Sequence, residues 1–314
     1  MNNAQAQELG IAARSTRSLD PKVILAFAII YVVWGSTFLA IRYAIGSIPP
    51  FLMAGLRFTI AGLLLFGWNW FYGGRLPTLG QWKVAMVGGA LMFTLGHGGL
   101  AWAEQRLSSG MAALILALIP AWVVLVDWLR PGGTQPAATV LIGLFIGLFG
   151  LVMLVGIGQP VEAGVDIPSA LTLVFSGFAW AVGTVYTKHT ASSGSASVTA
   201  SMQLLSGGTI LLLIGSARGD WAQVLSIGIR VQSMLALGYL IAFGTLIAFN
   251  AYVWLLGVSV PSKVATYAYV NPIIAVFLGW AFASEPVALR TLAAAAIIIV
   301  AVVIITKHQA KPKP

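Results

Sequence analysis

The chain has 314 residues, 59% of them hydrophobic and only 8% charged, where a soluble domain carries about a quarter; an ordinary soluble fold with one buried core is excluded. Its 17 Lys and Arg against 8 Asp and Glu leave a net charge of +9, but without a basic run or a soluble module the excess argues against nucleic acid and for anionic lipid. With no cysteine, disulfides, thiolate metal sites and thiol nucleophiles are excluded too.

The first 21 residues form a polar tail containing Arg14 and Arg17. The apolar run from Lys22 to Ala44 is too long for a signal-peptide core and reads as a permanent span. Apolar windows are placed at 22–45, 49–72, 80–103, 107–128, 137–157, 166–189, 195–216, 230–256, 261–283 and 287–306, which gives ten spans. They are continuously apolar rather than alternating, which selects helices over a barrel. Turn chemistry separates them at Ser47 to Pro50, Gly73 to Arg75, Arg130 to Gly133, Gly158 to Pro160 and Ser284 to Pro286. Only Glu104-Gln105-Arg106 interrupts the third and fourth, and it reads as a solvated loop pair. With the N-terminus inside, Arg14, Arg17, Lys22, Arg75, Lys83 and Arg130 share its side with most other basic residues. The positive-inside rule then predicts cytoplasmic N- and C-termini in a bacterial inner membrane.

A shift of 152 positions carries Trp102 onto Trp254, Ala113 onto Ala265, Pro120 onto Pro272, Val124 onto Val276 and Trp128 onto Trp280. A slightly different shift pairs Trp34 with Trp180. The chain therefore divides into a tail at 1–21, five-helix repeats at 22–160 and 161–306, and a tail at 307–314. Five spans is an odd number, so the second copy runs inverted, an architecture associated with alternating access to a midplane site.

The stretch Trp34 to Arg42, then Pro49-Pro50 and Arg57-Phe58, resembles the opening of EamA-type proteins of the drug/metabolite transporter superfamily. So do Ala103-Glu104-Gln105, Ser109 to Leu114, Pro120 and Trp122, and in the second half Ser262, Ala265, Tyr267, Asn271-Pro272 and Glu285-Pro286. The resemblance implies an all-α integral membrane bundle of ten helices, two inverted repeats around a central cavity. It also implies export of metabolites, with amino-acid exporters prominent. Where relatives often carry Leu-Glu-Pro, this chain has Val270-Asn271-Pro272, so no role of that carboxylate transfers.

Polar side chains inside a bilayer are costly and often mark a solute path. His97, between Gly96 and Gly98-Gly99 in the third span, reads as a packed histidine, a cavity-lining residue or a proton site. Lys263, Tyr267 and Asn271 recur every fourth residue and share one face of a continuous ninth helix; Lys263 either receives a carboxylate or snorkels to the headgroups. Asn250 and Trp254 form a similar pair, and Asn250 reads equally as helix glue. Trp34 and Trp180 are expected to face each other across the pseudo-two-fold axis, with Trp102 near a gate. Trp68, Trp70, Trp82, Trp128 and Trp221 fit interfacial belts. Arg57 lies within the second span and needs a partner or water. Pro120 and Pro272 predict paired kinks suited to a rocking motion.

No HExxH, GxSxG, intramembrane carboxylate pair or ATP-binding loop is present, so an enzyme and a primary pump are set aside. A channel is the alternative of another class, but the internal repeat builds a path within one chain, for which a monomer suffices. The reading is a secondary carrier exporting neutral or aromatic amino acids or related metabolites, with other metabolites or drug-like compounds as alternatives. No cofactor or metal is expected.

Overall fold

A computed structural model describes residues 20–72, 76–133, 135–155, 165–190, 195–259 and 261–309. Arg14, Arg17, Arg75, the Gly158 to Pro160 turn, Lys311 and Lys313 lie outside them.

Among the described residues nine helices are long and apolar enough to cross a membrane. They are α1 (Pro21–Ala44), α2 (Pro50–Phe71), α3 (Leu79–Ala103), α4 (Ser109–Leu129), α5 (Ala138–Val155), α6 (Ile167–Thr190), α7 (Ala196–Ala217), α8 (Val231–Leu255) and, after a shorter apolar helix α9 (Tyr267–Ala283), α10 (Leu289–Gln309). The chain is thus an all-helical, multi-pass membrane protein. Large apolar side chains such as Leu63, Phe145 and Phe149 are exposed on the outer faces, where a bilayer makes them soluble.

Local chemistry sets the starts. The Asp20 side chain accepts from Lys22 N at 3.0 Å ahead of Pro21, and Pro50 occupies the first turn of α2. A reciprocal Thr78 and Gln81 capping box opens α3. Ser108 accepts from Met111 N at the start of α4. The start of α1 and the end of α10 share one end of the bundle, here the terminal end; the α1–α2, α3–α4 and α9–α10 turns lie at the other, the distal end.

Close packing along their length joins α2 to α7. A Cβ at Gly55 would stand 2.8 Å from Leu212 N, at Gly62 2.9 Å from Leu205 N, and at Gly208 2.6 Å from Thr59 N. At Gly215 it would stand 3.3 Å from Leu52 N. A shift of 153 positions carries Gly55 to Gly208, Gly62 to Gly215, Leu52 to Leu205 and Thr59 to Leu212. Each glycine is therefore met by the counterpart of the residue its own counterpart meets. Around this pair the pattern continues: α1 packs on α8 and α9, α6 on α3 and α4, and α5 on α10. Gly143 and Gly150 admit Ile305 and Ile298 of α10, as the glycine-rich face of α5 predicts.

Three backbone features depart from the sequence reading. Both α3 and α8 contain eight residues of π-helix, Ala90–His97 and Leu240–Ile247, which periodicity does not reveal. The fourth span breaks at Ala117 and Leu118, just before Pro120, because proline at the second position of a helix needs no amide partner. The ninth span is not one helix from 261 to 283: a four-residue helix Pro261–Val264 ends at a turn before α9 begins at Tyr267. Pro272 lies inside α9, six residues past that break, so the two prolines do not sit at matching breaks.

Gly208→Ala is expected to cost about 1–3 kcal/mol of thermal stability in detergent, the usual price of overpacking. Gly67→Ala, with nothing within 4 Å of its Cβ position, is expected to be neutral or stabilising. Equal melting temperatures for the two variants would contradict the α2–α7 contact.

Candidate functional site

The residues singled out in the sequence fall into two aromatic clusters. In the first, Trp34 of α1 meets Tyr267 of α9 at 4.9 Å between ring centroids and Tyr252 of α8 at 5.4 Å. Tyr252 and Tyr267 close the triangle at 5.9 Å. The Trp34 indole donates to the Gly244 carbonyl at 3.1 Å. Beside it Tyr31 bonds the Thr266 hydroxyl, and the Asn271 amide, in the orientation that turns its nitrogen to them, donates to the Tyr267 and Tyr31 carbonyls at 3.2 Å.

In the second cluster, His97 of α3 lies 4.9 Å from Trp180 of α6, 5.0 Å from Phe58 of α2 and 5.8 Å from Phe93. The ring is half-buried and enclosed by aromatic faces. Trp34 and Trp180 therefore belong to different clusters rather than forming the expected facing pair. The cause is the packing: α1 lies on α8 and α9, whereas α6 lies on α3.

Arg57 stands between the clusters. It is 5% exposed, and its Nε donates to Thr245 Oγ1 at 3.0 Å, one residue from Trp34's acceptor Gly244. Its guanidinium lies 4.9 Å from the ring of Phe58, which touches His97. The π segments make these bonds possible, because their shifted pattern turns backbone carbonyls toward side chains. Gly244 O is taken by Trp34, Leu95 O by Ser176 at 3.1 Å, and Leu240 O by Thr245 at 2.9 Å. No ion pair within 4 Å neutralises Arg57 among the described residues, so the site holds a desolvated cation between two aromatic surfaces.

Other candidates lie apart. Lys263 is exposed on the short helix before the break, so it does not share a helical face with Tyr267 and Asn271. Asn250 is exposed and donates to Leu246 O of its own helix at 2.8 Å, which removes its role as interhelical glue. Trp102 is half-buried, with the Arg106 guanidinium 5.5 Å from its ring.

That contact overturns the Glu104–Arg106 loop pair. Arg106 is exposed, whereas Glu104, just past the end of α3, is 2% exposed and neither carboxylate oxygen has a hydrogen-bond partner. Burial holds its carboxyl well above the ordinary carboxylate range; Glu285 adds to this, and Arg42 and Arg57 oppose it. Its residue type and spacing do not distinguish it from a loop acid; the signal in the sequence is its place in the Ala103-Glu104-Gln105 motif of the family resemblance.

The distal end is tied by a second acid. Glu285 accepts from Ser109 N at 2.9 Å, Ser109 Oγ at 3.0 Å and Gly110 N at 3.3 Å, capping α4 from the α9–α10 turn. Arg42 of α1 pairs with it at 3.3 Å. Nearby, Tyr43 donates to the Phe282 carbonyl at 2.6 Å. At the terminal end Asp127 of α4 joins Arg130 at 2.8 Å and His189 of α6 at 3.1 Å.

Comparison with known proteins places this geometry in a family. The model of the EamA-like transporter family matches twice, at residues 21–156 and 167–307. The uncharacterized inner membrane transporter YedA of Escherichia coli K12 is 33% identical over 92% of this chain and 92% of its own. The uncharacterized transporter YvbV of Bacillus subtilis is 27% identical over 92% of this chain and 93% of its own. A protein known from a crystal structure superposes with a TM-score of 0.62 at 22% identity, covering 93% of this chain and 99% of that one, and so shares the fold. The chain belongs to the EamA-like transporter family and is a membrane transporter.

Glu285→Gln is expected to lose about 1.5–3 kcal/mol of thermal stability, the scale of hydrogen bonds to a charged group. Arg42→Ala, whose side chain is 38% exposed, is expected to lose less than about 1 kcal/mol. Small, equal losses in both would contradict the capping role of Glu285.

Proposed function

We propose that this transporter exports small neutral or aromatic amino acids, or closely related metabolites, by alternating access. The observation that carries the reading is Arg57: a buried guanidinium without an ion-pair partner among the described residues, flanked by the Trp34 and Trp180 clusters. A guanidinium receives a carboxylate through paired hydrogen bonds, and aromatic faces receive an apolar side chain. The role first considered for Lys263 passes to Arg57. His97 and Tyr267 line the two sides of the same path.

The reciprocal α2–α7 contact and the matching π segments support two five-helix halves, 22–160 and 161–306, in opposite orientation about a midplane site. The basic residues on the terminal side support cytoplasmic termini in an inner membrane. Transport through this chain is secondary and needs no partner subunit.

The test is efflux of labelled tryptophan, phenylalanine and leucine from proteoliposomes. Saturable flux is expected. In Arg57→Lys, which keeps the charge but loses the fork, apparent affinity is expected to fall about 10–100-fold, the equivalent of one lost charge-assisted contact. Trp34→Ala and Trp180→Ala are expected to lose flux while remaining monodisperse. Flux no greater than from empty liposomes for every amino acid would overturn the substrate class and turn the search to other metabolites or drug-like compounds.

A further inference from the structure

Glu104 has no place in the solute path just described, yet among the described residues it is the one with two buried side-chain oxygens that no donor meets. Both oxygens lie out of contact with solvent and without a donor. An ionised carboxylate in that setting is costly, so the group is held as the neutral acid unless its surroundings change. The charged groups acting on it come from three elements: Arg42 of α1, Arg57 of α2 and Glu285 of the α9–α10 turn. On its own turn Arg106 is turned away onto Trp102. Glu285 itself is satisfied by Ser109, Gly110 and Arg42, and lines a groove with Trp280, Ser284 and Pro286 at the distal end.

We propose that Glu104 is a proton-binding site that couples solute movement to a proton gradient. It stands between the buried cation of the solute path and the ties that close the distal end, within the electrostatic reach of both. With the distal end closed, Glu104 holds one proton. When the Glu285 ties part, water reaches the carboxyl, the proton leaves, and the resulting carboxylate is attracted to Arg57. A carboxylate on the solute competes for the same guanidinium, so proton and solute occupy the carrier in a linked order. Exchange of one proton for one zwitterion moves a single positive charge, so coupled transport responds to membrane potential as well as to pH.

This inference rests on the carrier reading for its consequence, but the proton site can be tested apart from any solute. In detergent at about neutral pH, the infrared spectrum of the wild-type chain is expected to show the carbonyl stretch of a buried protonated carboxyl. That band is expected to vanish in Glu104→Gln and to remain in Asp127→Asn, whose ties lie at the opposite end of the bundle. No Glu104-dependent band, in a Glu104→Gln protein that is monodisperse, would overturn the proton site whatever the substrate. In proteoliposomes with labelled tryptophan, a pH gradient is expected to drive accumulation against the solute gradient in the wild type. In Glu104→Gln it is expected to drive none, although exchange of internal for external tryptophan persists; Glu104→Asp is expected to restore accumulation with a shifted pH profile. Gradient-driven accumulation surviving in Glu104→Gln would overturn the coupling role. An absence of tryptophan exchange in every variant, with the infrared band present, would count against the substrate class and leave the proton site standing.

Discussion

Two helices approach closely in this bundle because four glycines allow it, and the other spans are arranged around that contact. In a bilayer, apolar side chains gain nothing from leaving lipid for protein, so helices associate through close packing and through polar bonds. Gly55 and Gly62 of α2 and Gly208 and Gly215 of α7 bring backbone against side chain and backbone at less than ordinary Cβ spacing. Because each half contributes one helix and equivalent residues meet reciprocally, the contact fixes how the halves sit together. It then places α1 over α8 and α6 over α3.

The consequence is an exchange of parts between the halves. Trp34 of the first half bonds a carbonyl in the π segment of α8, and Ser176 of the second half bonds one in the π segment of α3. The chain thus spends its irregular backbone where side chains from the other half satisfy it, the condition a membrane imposes on any departure from regular helix. Arg57 is held at this crossing through Thr245. The buried cation and the two aromatic clusters are therefore one connected structure.

The membrane-spanning, all-helical character and most of the spans were legible in the sequence, since continuous apolarity over a helix length has few other readings. The short turns and the small-residue face of α5 were legible for similar reasons. Position within the bundle was not. Trp34 and Trp180 occupy equivalent sequence positions, but equivalence between two copies of a family unit does not require contact, and each pairs with the opposite half. The spacing of Lys263, Tyr267 and Asn271 implied one face only if the helix were unbroken, and the turn at Ala265 and Thr266 separates the lysine. Glu104 looked like a loop residue because burial at the end of a span depends on what the α9–α10 turn brings over it, and that turn is distant in sequence. The π segments leave no periodic signal, since a one-residue shift within eight residues is too small to alter an apolar pattern.

Coupling through Glu104 requires that the distal ties open and close during transport. The chain contains no cysteine, so spin labels at Gln105→Cys and Leu289→Cys, both exposed positions beside the Glu285 cap, report the gap between the α3–α4 turn and α10 without background. Two distance populations are expected in lipid, the longer one growing when Glu285→Gln is introduced. A single narrow distance, the same with and without that substitution and at every pH, would contradict that opening.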